Sequence, residues 1–402
     1  MKIAMISKAD SLGGGASKIA TLLTNSLPHD QIYVDHFTRS TSVLTPTIPL
    51  YNNFEKKLYH RFLDFGIQEY FPFERKVLHS YDTLNQYDIF HFHDITSAVS
   101  PLSIKYFSDR GKKILWTIHD CSVFTGGCLN PFECKQYLSL CKTCPQLNSF
   151  GLGRNFDFTS VFHRIKKYVL QKSHIHFVAP SKWIADMAYE TGYLKEYPTI
   201  IHNGIDTKVF KPLTKETVRK ELQLPQKRFI ILFSAANIHN PYKGFQEALS
   251  ILEKLQNMNP FLLFVGTQEQ TLQQTLKGFD FLCTGYIQDS SLLNKYYASA
   301  DIYLNTTLAD NFPLTALEVM ASGTPNFGFD TGGMQEMVTN NVNGFLVKYE
   351  NKHMLADQII QYSKQANRSL FERKTADTIQ KNFSLITFVN NYKNVYEELL
   401  TQ

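Results

Sequence analysis

Residues 301 to 325 read Asp301-Ile302-Tyr303-Leu304-Asn305-Thr306-Thr307-Leu308-Ala309-Asp310-Asn311-Phe312-Pro313-Leu314-Thr315-Ala316-Leu317-Glu318-Val319-Met320-Ala321-Ser322-Gly323-Thr324-Pro325. The short apolar run at its start is typical of a buried strand, because the hydrophobic residues are continuous and do not alternate. A polar loop follows, and the spacing then predicts a helix from about Pro313 to Ser322 that ends at Gly323 and Pro325. Strand, loop and helix in this order predict one unit of a parallel α/β sheet.

Similar apolar runs, with helical patterns between them, recur along the whole chain: Lys2–Ile6, Ile32–Phe37, Asp88–Phe92, Lys113–Ile118, Ile175–Ala179, Phe229–Ser234, Phe261–Val265, Phe281–Thr284, Ile302–Asn305 and Pro325–Phe329. The segment from Ile200 to Pro212, with Asn203-Gly204, separates two sets of these runs and indicates a turn. We therefore expect two doubly wound domains, residues 1–203 and 204–382, with the chemistry in a cleft at the carboxyl ends of the strands. Residues 383–402 predict a terminal amphipathic helix that needs a groove to dock in.

Length and composition exclude several classes of protein. The chain has 402 residues, of which 43% are hydrophobic, and this is too apolar for a disordered chain. No stretch reaches the ~18 consecutive apolar residues of a membrane span, and polar residues follow Ile6 directly. We expect neither a membrane span nor a signal peptide, and we expect a cytoplasmic protein.

The positive charge is confined to one half of the chain. Residues 1 to 205 hold 22 Lys and Arg against 17 Asp and Glu, whereas residues 206 to 402 hold 19 of each. The first half also holds 11 of the 13 histidines and five of the six cysteines. This excess of +5 favours an anionic acceptor or membrane surface and is too weak to indicate a nucleic-acid partner.

Two segments have the composition of anion-binding loops. Gly13-Gly14-Gly15 lies between the first strand and a helix, where backbone N–H groups can approach an anion; a flexible surface turn is an equal alternative. It is neither a Walker loop nor a dinucleotide fingerprint. In the second segment, the N–H groups of Asn311, Phe312, Pro313 and Leu314 at a helix start could hold a diphosphate, and Glu318 could accept bonds from ribose hydroxyls. Alternatively, Asp310 caps the helix and Glu318 lies on a solvated face.

The second segment resembles part of a known enzyme family. Asp310-x7-Glu318 is similar to the E-x7-E region of glycosyltransferase family 4, and further motifs agree with that family in order and spacing: Pro180-Ser181-Lys182-Trp183, Asn203-Gly204-Ile205-Asp206, Lys243-Gly244-Phe245, Gly332-Gly333-Met334 and Asn343-Gly344-Phe345. The resemblance covers essentially the whole chain. Within the family, Trp116-Thr117-Ile118-His119-Asp120 and Cys141-Lys142-Thr143-Cys144-Pro145 resemble the bacterial colanic-acid-type polysaccharide branch.

The resemblance implies a GT-B fold of two Rossmann-like domains, with the acceptor on the first, a nucleotide-diphosphate-sugar on the second, and the last helix packing back on the first. It also implies a retaining, metal-independent transfer. By motif position, Glu318 would bind the nucleotide ribose, Asp310 would lie near the donor sugar, and Lys243 would neutralise the diphosphate, with Gly14 and Gly15 opposite. His119 would contact the sugar at the reaction centre.

Elementary chemistry agrees with these roles, because breaking a glycosyl–phosphate bond builds negative charge on the diphosphate, which Lys243 and aligned N–H dipoles stabilise without a metal. No pair of carboxylates indicates a retaining glycosidase. We expect a front-face reaction in which the donor phosphate takes the acceptor proton. Two departures from the family are the Asp at position 310 and the lack of an Arg shortly before Lys243, where His239 is the only substitute cation.

Cys128-x5-Cys134-x6-Cys141-x2-Cys144 lies in one loop. Four close thiols in a reducing compartment favour a structural tetrahedral zinc, although only one C-x2-C pair has the usual spacing. Free thiols or one disulfide are the alternatives. Such a zinc would lie outside the transfer chemistry.

Other features of the first half have more ordinary interpretations. His91 and His93 share one face of a strand and are expected to be packed or to line the acceptor cleft. Residues 54–73 and 162–172 mix aromatics with cations and fit either an anionic membrane surface or ordinary solvated helices.

Taken together, the sequence predicts a retaining glycosyltransferase of bacterial surface-glycan synthesis, peripheral on the inner face of the membrane, with a glycan or lipid-linked acceptor. A non-catalytic nucleotide- or glycan-binding relative is the alternative.

Overall fold

The computed structural model describes residues 1–401 except 12, 41–45, 68–71, 149–151, 153–155, 236–239, 267–271 and 274. It divides the chain into two compact units. The first unit comprises Met1–His202 and Val389–Gln402, and the second comprises Asn203–Phe388.

The first unit is built on a seven-stranded parallel sheet of order β3-β2-β1-β4-β5-β6-β7. Its strands are β1 (Lys2–Ala9), β2 (Tyr33–Ser40), β3 (Ile48–Pro49), β4 (Ile89–Phe92), β5 (Lys113–Thr117), β6 (His176–Ala179) and β7 (Thr199–Ile200). Its helices are α1 (Gly15–Ser26), α2 (Asn53–Asp64), α3 (Arg75–Leu78), α4 (Tyr81–Gln86), α5 (Pro101–Ser108), α6 (Thr159–Lys172) and α7 (Lys182–Glu190).

The second unit is built on a six-stranded parallel sheet of order β10-β9-β8-β11-β12-β13. Its strands are β8 (Ile230–Ser234), β9 (Phe261–Val265), β10 (Asp280–Cys283), β11 (Ile302–Asn305), β12 (Asn326–Phe329) and β13 (Gly344–Val347). Its helices are α8 (Lys215–Glu221), α9 (Phe245–Leu255), α10 (Ser290–Ser299), α11 (Leu314–Ala321), α12 (Met334–Met337), α13 (Lys352–Ser363) and α14 (Arg368–Asn382), and α15 (Leu385–Thr401) ends the chain.

The strands of the second sheet are continuously apolar because both faces are covered. Ile230 and Leu232 belong to the core on one face, and Ile231 and Phe233 belong to the core on the other. Successive side chains of a strand point to opposite faces, so an unbroken apolar run fills two cores at once. The predicted α/β fold of two doubly wound parallel sheets is confirmed, while the two-residue edge strands β3 and β7 and the four-residue edge strand β13 were not predicted.

The chain order reverses at the centre of each sheet. β1 pairs with both β2 and β4, and β8 pairs with both β9 and β11. In an open parallel sheet, the loops that leave the carboxyl ends of such neighbouring strands diverge and leave a crevice between them. The loops after β1 and β4, and those after β8 and β11, are therefore the places to look for a site.

The terminal helix contributes to the core of the first unit. Tyr392 and Tyr396 on α15 are almost completely buried there. The Tyr396 hydroxyl lies 2.8 Å from His91 Nδ1, and the Tyr392 hydroxyl lies 2.9 Å from Thr117 Oγ1. These bonds satisfy the polar ends of both phenols inside the core, so the second half of α15 is an integral part of this unit.

Candidate active site

In the second unit, a tight turn after β8 is tied to the loop after β11. The Leu308 N–H donates to Tyr242 O at 2.8 Å, and Thr306 Oγ1 donates to Gly244 O at 2.8 Å. Gly244 has φ of 62°, and a Cβ there would lie 2.0 Å from Thr306 O. Only glycine combines this left-handed backbone with such a close approach. The result is that Lys243 is held beside the loop that carries Asp310.

Lys243 and Asp310 form an ion pair. Lys243 Nζ lies 3.1 Å from Asp310 Oδ2, and the side chains are 31% and 27% exposed. The N-cap of α11 is Pro313, so the capping role considered for Asp310 is wrong. A partly exposed cation beside a carboxylate is a group that an incoming anion can engage.

Glu318 is buried, which corrects its interpretation as a residue on a solvated face. It is 3% exposed and lies on α11, where every residue from Ala316 to Ala321 is buried. The Tyr297 hydroxyl lies 3.5 Å from Glu318 Oε2, at the outer limit of a hydrogen bond. Carboxyl side chains are rarely this buried unless they have polar partners, so Glu318 is a candidate for a functional role.

Two tyrosines that the sequence analysis did not identify lie among these carboxylates. Burial raises the pKa of Tyr303, and the charges of Asp310 and Glu318 raise it further. Burial and Glu318 likewise raise the pKa of Tyr297. Both phenols stay protonated and can donate hydrogen bonds. In the sequence, the only indication of a role for these tyrosines was the position of Tyr303 within the strand, and that position is equally typical of a core residue.

The chain before α11 is shaped by distant backbone contacts. Asn203 Nδ2 donates to Phe312 O at 2.9 Å, and the Gly333 N–H donates to Asn311 O at 2.7 Å. Asn311 and Phe312 are both buried. The nitrogen of Pro313 carries no hydrogen, so Pro313 can shape this helix start but cannot donate to a diphosphate, which leaves Asn311, Phe312 and Leu314 as the predicted N–H donors.

In the first unit, His119 follows β5 and His93 follows β4. His93 Nδ1 and His119 Nε2 lie 2.8 Å apart, and the rings stack with centroids 5.1 Å apart. Burial lowers the pKa of His119 to about 3 and also lowers that of His93, so both rings are neutral at pH 7. His91 is fully buried between Thr117 and Tyr396, which fits the packed role.

Two acids beside these histidines were also not identified as site residues. Burial raises the pKa of Asp94 and of Asp120, and the Asp94 charge helps to raise that of Asp120 to about 6. The positive charges of Lys8 and Lys166 act in the opposite direction on Asp94 and Asp120 respectively. Titratable groups of both signs therefore meet at the carboxyl ends of β1, β4 and β5, as they do in many functional sites.

The three glycines of the turn after β1 differ in the space around them: Gly13 has no room for a side chain, whereas Gly14 and Gly15 do. A Cβ on Gly13 would lie 2.3 Å from Ala9 Cβ, whereas Cβ atoms on Gly14 and Gly15 would have nothing within 4 Å. Gly14 has φ of 99° and precedes the first residue of α1. The turn thus presents an open helix start, as an anion-binding loop requires.

Three negative findings apply to the described part of the chain. No three His, Cys, Asp or Glu side chains there are arranged to hold a metal ion. None of the described helices combines the length and the apolar character that crossing a membrane requires. The substitute cation proposed for the absent arginine, His239, lies outside the described residues.

A large cavity lies at the opposite edge of the second sheet. It measures about 1080 Å³ and is lined by groups that include Lys215, Arg219 and Asp301. Asp301 accepts from the Arg219 guanidinium at 2.8 Å and from the Ile230 N–H at 2.7 Å. Since this network joins the amino ends of β8 and β11, we interpret it as structural.

Comparison with known families matches glycosyltransferase domains to most of the chain. A domain model described as Glycosyltransferase Family 4 matches residues 13–209, and one described as Glycosyl transferases group 1 matches residues 228–365. An N-acetyl-alpha-D-glucosaminyl L-malate synthase of Bacillus anthracis is 23% identical over 329 residues, which cover 78% of this chain and 75% of that protein. An N,N'-diacetylbacillosaminyl-diphospho-undecaprenol alpha-1,3-N-acetylgalactosaminyltransferase of Campylobacter jejuni is 23% identical over 63% of this chain and 69% of that protein.

Solved structures share the whole fold at low sequence identity. Sucrose-phosphate synthase from Thermosynechococcus elongatus superposes with a TM-score of 0.71 at 20% identity, covering 100% of this chain and 99% of that one. HepE of Anabaena in complex with UDP gives a TM-score of 0.69 at 15% identity, covering 99% and 100%. The two domain models match this chain one after the other, and the chain has the fold of the structures above. The protein therefore belongs with the family 4 glycosyltransferases of the GT-B class.

Proposed function

We propose that this protein transfers a sugar, with retention of anomeric configuration, from a nucleotide-diphosphate-sugar to a saccharide or lipid-linked acceptor in bacterial surface-glycan synthesis. The observation that carries the proposal is the grouping of Lys243, Asp310 and buried Glu318 where the chain order of the second sheet reverses. The UDP and UDP-glucose complexes of HepE support a nucleotide-sugar donor, and the diphospho-undecaprenol acceptor named for the Campylobacter enzyme supports a lipid-linked acceptor.

The donor side of the reaction is assigned to the second unit. Lys243 neutralises the diphosphate, whose negative charge grows as the glycosyl bond breaks. To do so its ammonium must turn from Asp310, with which it pairs at 3.1 Å, towards the phosphate. Asp310 is then free to accept from a sugar hydroxyl. Its side chain is one methylene shorter than the Glu of the family motif, so it reaches a different hydroxyl or a backbone group.

Nucleotide recognition is assigned to α11 and the chain before it. Glu318 accepts from the ribose hydroxyls, and the N–H groups of Asn311, Phe312 and Leu314 approach the diphosphate at the positive end of the helix dipole. Pro313 fixes the entry of this chain into the helix.

Within the first unit, His119 is assigned to the transferred sugar and the open turn at Gly14 and Gly15 to the donor diphosphate. A neutral His119 donates or accepts one hydrogen bond without placing a second cation near the forming oxocarbenium ion. The proton of the acceptor hydroxyl passes to the donor phosphate, so the reaction as proposed requires no metal ion.

An experiment on donor binding and turnover distinguishes the proposed enzyme from a non-catalytic binding relative. The test is calorimetric titration with UDP-, GDP- and ADP-sugars, followed by a donor-hydrolysis assay with each donor that binds. We expect one nucleotide class to bind and to turn over slowly in the absence of acceptor. Binding with no turnover on any saccharide or lipid-linked acceptor would favour the binding relative and overturn the catalytic assignment.

For location, we propose a cytoplasmic protein that meets the inner face of the membrane through α2. Phe54 is 72% exposed at its start, Phe65 is 54% exposed at its end, and Lys56, Lys57 and Arg61 lie between them. Aromatics among cations bind anionic lipid headgroups, at about 1 kcal/mol per cation. Sedimentation with vesicles of phosphatidylglycerol should exceed that with phosphatidylcholine, and the triple variant Lys56→Gln, Lys57→Gln and Arg61→Gln should abolish the difference.

A further inference from the structure

The segment between β5 and α6 holds together with little secondary structure. Among its described residues, only Cys121–Val123 and Gln136–Leu138 form short 3₁₀ turns. Connections of this length without helices or strands are uncommon in compact domains. Four of the six cysteines of the chain, Cys128, Cys134, Cys141 and Cys144, lie in this segment.

All four of these cysteines line one small cavity, of about 20 Å³. This is room for about one water-sized sphere and therefore for a single ion. The rest of its wall is formed by residues of the same segment and by Thr159 at the start of α6. Cysteines spread over 17 residues of chain thus meet at one point, which their spacing alone does not require.

The chain around the cavity is arranged to hold sulfur atoms. The Gly126 N–H points at Cys141 Sγ, with a nitrogen to sulfur distance of 3.3 Å. A Cβ on Gly126 would lie 2.7 Å from Thr159 Cβ and 3.0 Å from Cys141 Cβ, so the close approach requires glycine. The backbone of Gln146 and of Leu147 bonds to Cys144 in the same way. Such bonds stabilise a thiolate and are common around metal-bound sulfur.

A buried cation lies near this cluster. Lys166 on α6 is 1% exposed, its Nζ donates to Ser122 O at 2.7 Å, and its charge reaches Cys128, Cys141 and also Asp120. A buried ammonium is costly unless anionic groups lie near it, and Asp120 is one such group.

We propose that Cys128, Cys134, Cys141 and Cys144 bind one Zn²⁺ tetrahedrally as a structural site that closes this segment onto α6. All six cysteines are free of disulfides in the structure, and no three side chains in its described part are already arranged around an ion, so binding contracts the four sulfurs onto the cavity. Four thiols lose their protons as Zn²⁺ binds, which leaves a centre of net charge about −2 beside Lys166. Thiolates select zinc or an iron–sulfur cluster, and the cavity has room only for a single ion.

The site lies outside the transfer chemistry but next to a part of it. The segment begins directly after His119 and Asp120, and Ser122 O accepts from Lys166 Nζ at 2.7 Å. A loop fixed by zinc therefore fixes the position of His119. This role is independent of the proposed transfer reaction, because zinc content and stability can be measured without any substrate.

The test is the metal content of the full chain, purified without chelators and measured by plasma mass spectrometry. We expect about one zinc per chain, and none in the double variant Cys141→Ser and Cys144→Ser. Cys283→Ser, a partly buried cysteine of the second unit, is the matched control and should retain the zinc. For the unchanged protein, removal of zinc with a strong chelator should lower the Tm, and added Zn²⁺ should restore it, so the proposal does not depend on the folding of a variant.

Three outcomes would overturn the proposal. The first is that the purified protein holds no metal, all four thiols react with a thiol reagent, and added Zn²⁺ leaves the Tm unchanged. The second is a mass that shows a disulfide among these cysteines in protein purified under reducing conditions. The third is iron with visible absorbance in place of zinc.

Discussion

Replacement of Lys243 with Ala should remove most of the transfer activity and leave the fold almost unchanged. At 3.1 Å from Asp310, the ammonium would gain about 1 kcal/mol in water and about 5 kcal/mol at an effective dielectric of 20. Side chains that are 31% and 27% exposed lie towards the aqueous limit, where ion pairs stabilise by about 0 to 1 kcal/mol. The unfolding free energy should therefore fall by less than about 1 kcal/mol.

The effect on the reaction is expected to be much larger. Loss of one preorganised group that stabilises developing charge lowers kcat by about 10²- to 10³-fold, or about 2.7–4 kcal/mol. The assay is donor turnover with the best nucleotide-sugar, together with urea unfolding of the same preparations. Lys243→Arg keeps the charge and should recover part of the activity.

Lys295→Ala is the matched control. Lys295 forms an ion pair with Glu221 at 2.7 Å, with side chains 39% and 46% exposed, and belongs to the same unit. Its loss should change stability as little as that of Lys243 and should leave turnover intact. Turnover within about threefold of the unchanged protein in Lys243→Ala would refute the role given to Lys243, since its expected cost is at least about 10²-fold. A fall of several kcal/mol in unfolding free energy would show that the pair is mainly structural.

Three further predictions follow from the geometry. Glu318→Gln keeps the shape of a buried side chain and removes its charge. The nucleotide affinity measured by calorimetry should therefore fall about 10- to 100-fold, whereas the Tm should stay unchanged. An unchanged affinity would contradict the ribose contact. Gly244→Ala should lower the unfolding free energy by more than the ~1 kcal/mol of left-handed strain alone, because its Cβ would meet Thr306 O at 2.0 Å. Gly285 has φ of 66° and nothing within 4 Å of its Cβ position, so Gly285→Ala should show only the strain. Equal losses of stability in the two variants would contradict this prediction. Finally, burial lowers the pKa of seven histidines of the first unit: His36, His79, His91, His93, His119, His163 and His176. Below about pH 6.5 the unfolded state therefore binds more protons than the folded state, and the unfolding free energy should fall as the pH drops; Glu74, Asp94 and Asp120, whose pKa values are raised, oppose this trend. Urea midpoints at pH 7.5 and 5.5 test the prediction, and an equal or higher midpoint at pH 5.5 would count against it.

The fold was accessible from the sequence because buried parallel strands leave a strong local signal. Runs such as Phe261–Val265 are apolar at every position, and the structure places them inside sheets that are covered on both faces. The edge strands β3 and β7 have two residues each, too few to show any period. Their assignment depends on hydrogen bonds to a neighbouring strand, which the local sequence does not contain.

The candidate site was accessible only in part, because side-chain environment depends on tertiary neighbours. The position of Glu318 inside a helix was predicted, but its burial was not, since the side chains that cover α11 come from elsewhere in the chain. Tyr297 and Tyr303 were missed for the same reason: each is an ordinary aromatic in its own element, and only the folded structure brings its phenol near the charge of Glu318. Asp94 and Asp120 follow different strands and meet because β4 and β5 pair.

Two glycines also show that the local sequence indicates which residue is needed, whereas the reason for it depends on tertiary contacts. The Lys243-Gly244 motif indicates that a glycine is needed, but the reason is a carbonyl oxygen 62 positions along the chain, that of Thr306. Gly332 likewise has φ of 58°, and a Cβ there would lie 1.7 Å from Asp310 O. Both glycines therefore let backbone approach the loop after β11, and both bring a motif against it without contributing a side chain. It follows that the spacing of these motifs reflects the assembly of one loop, in which the close backbone approach of two glycines positions Lys243 and Asp310 for the ion pair that they form.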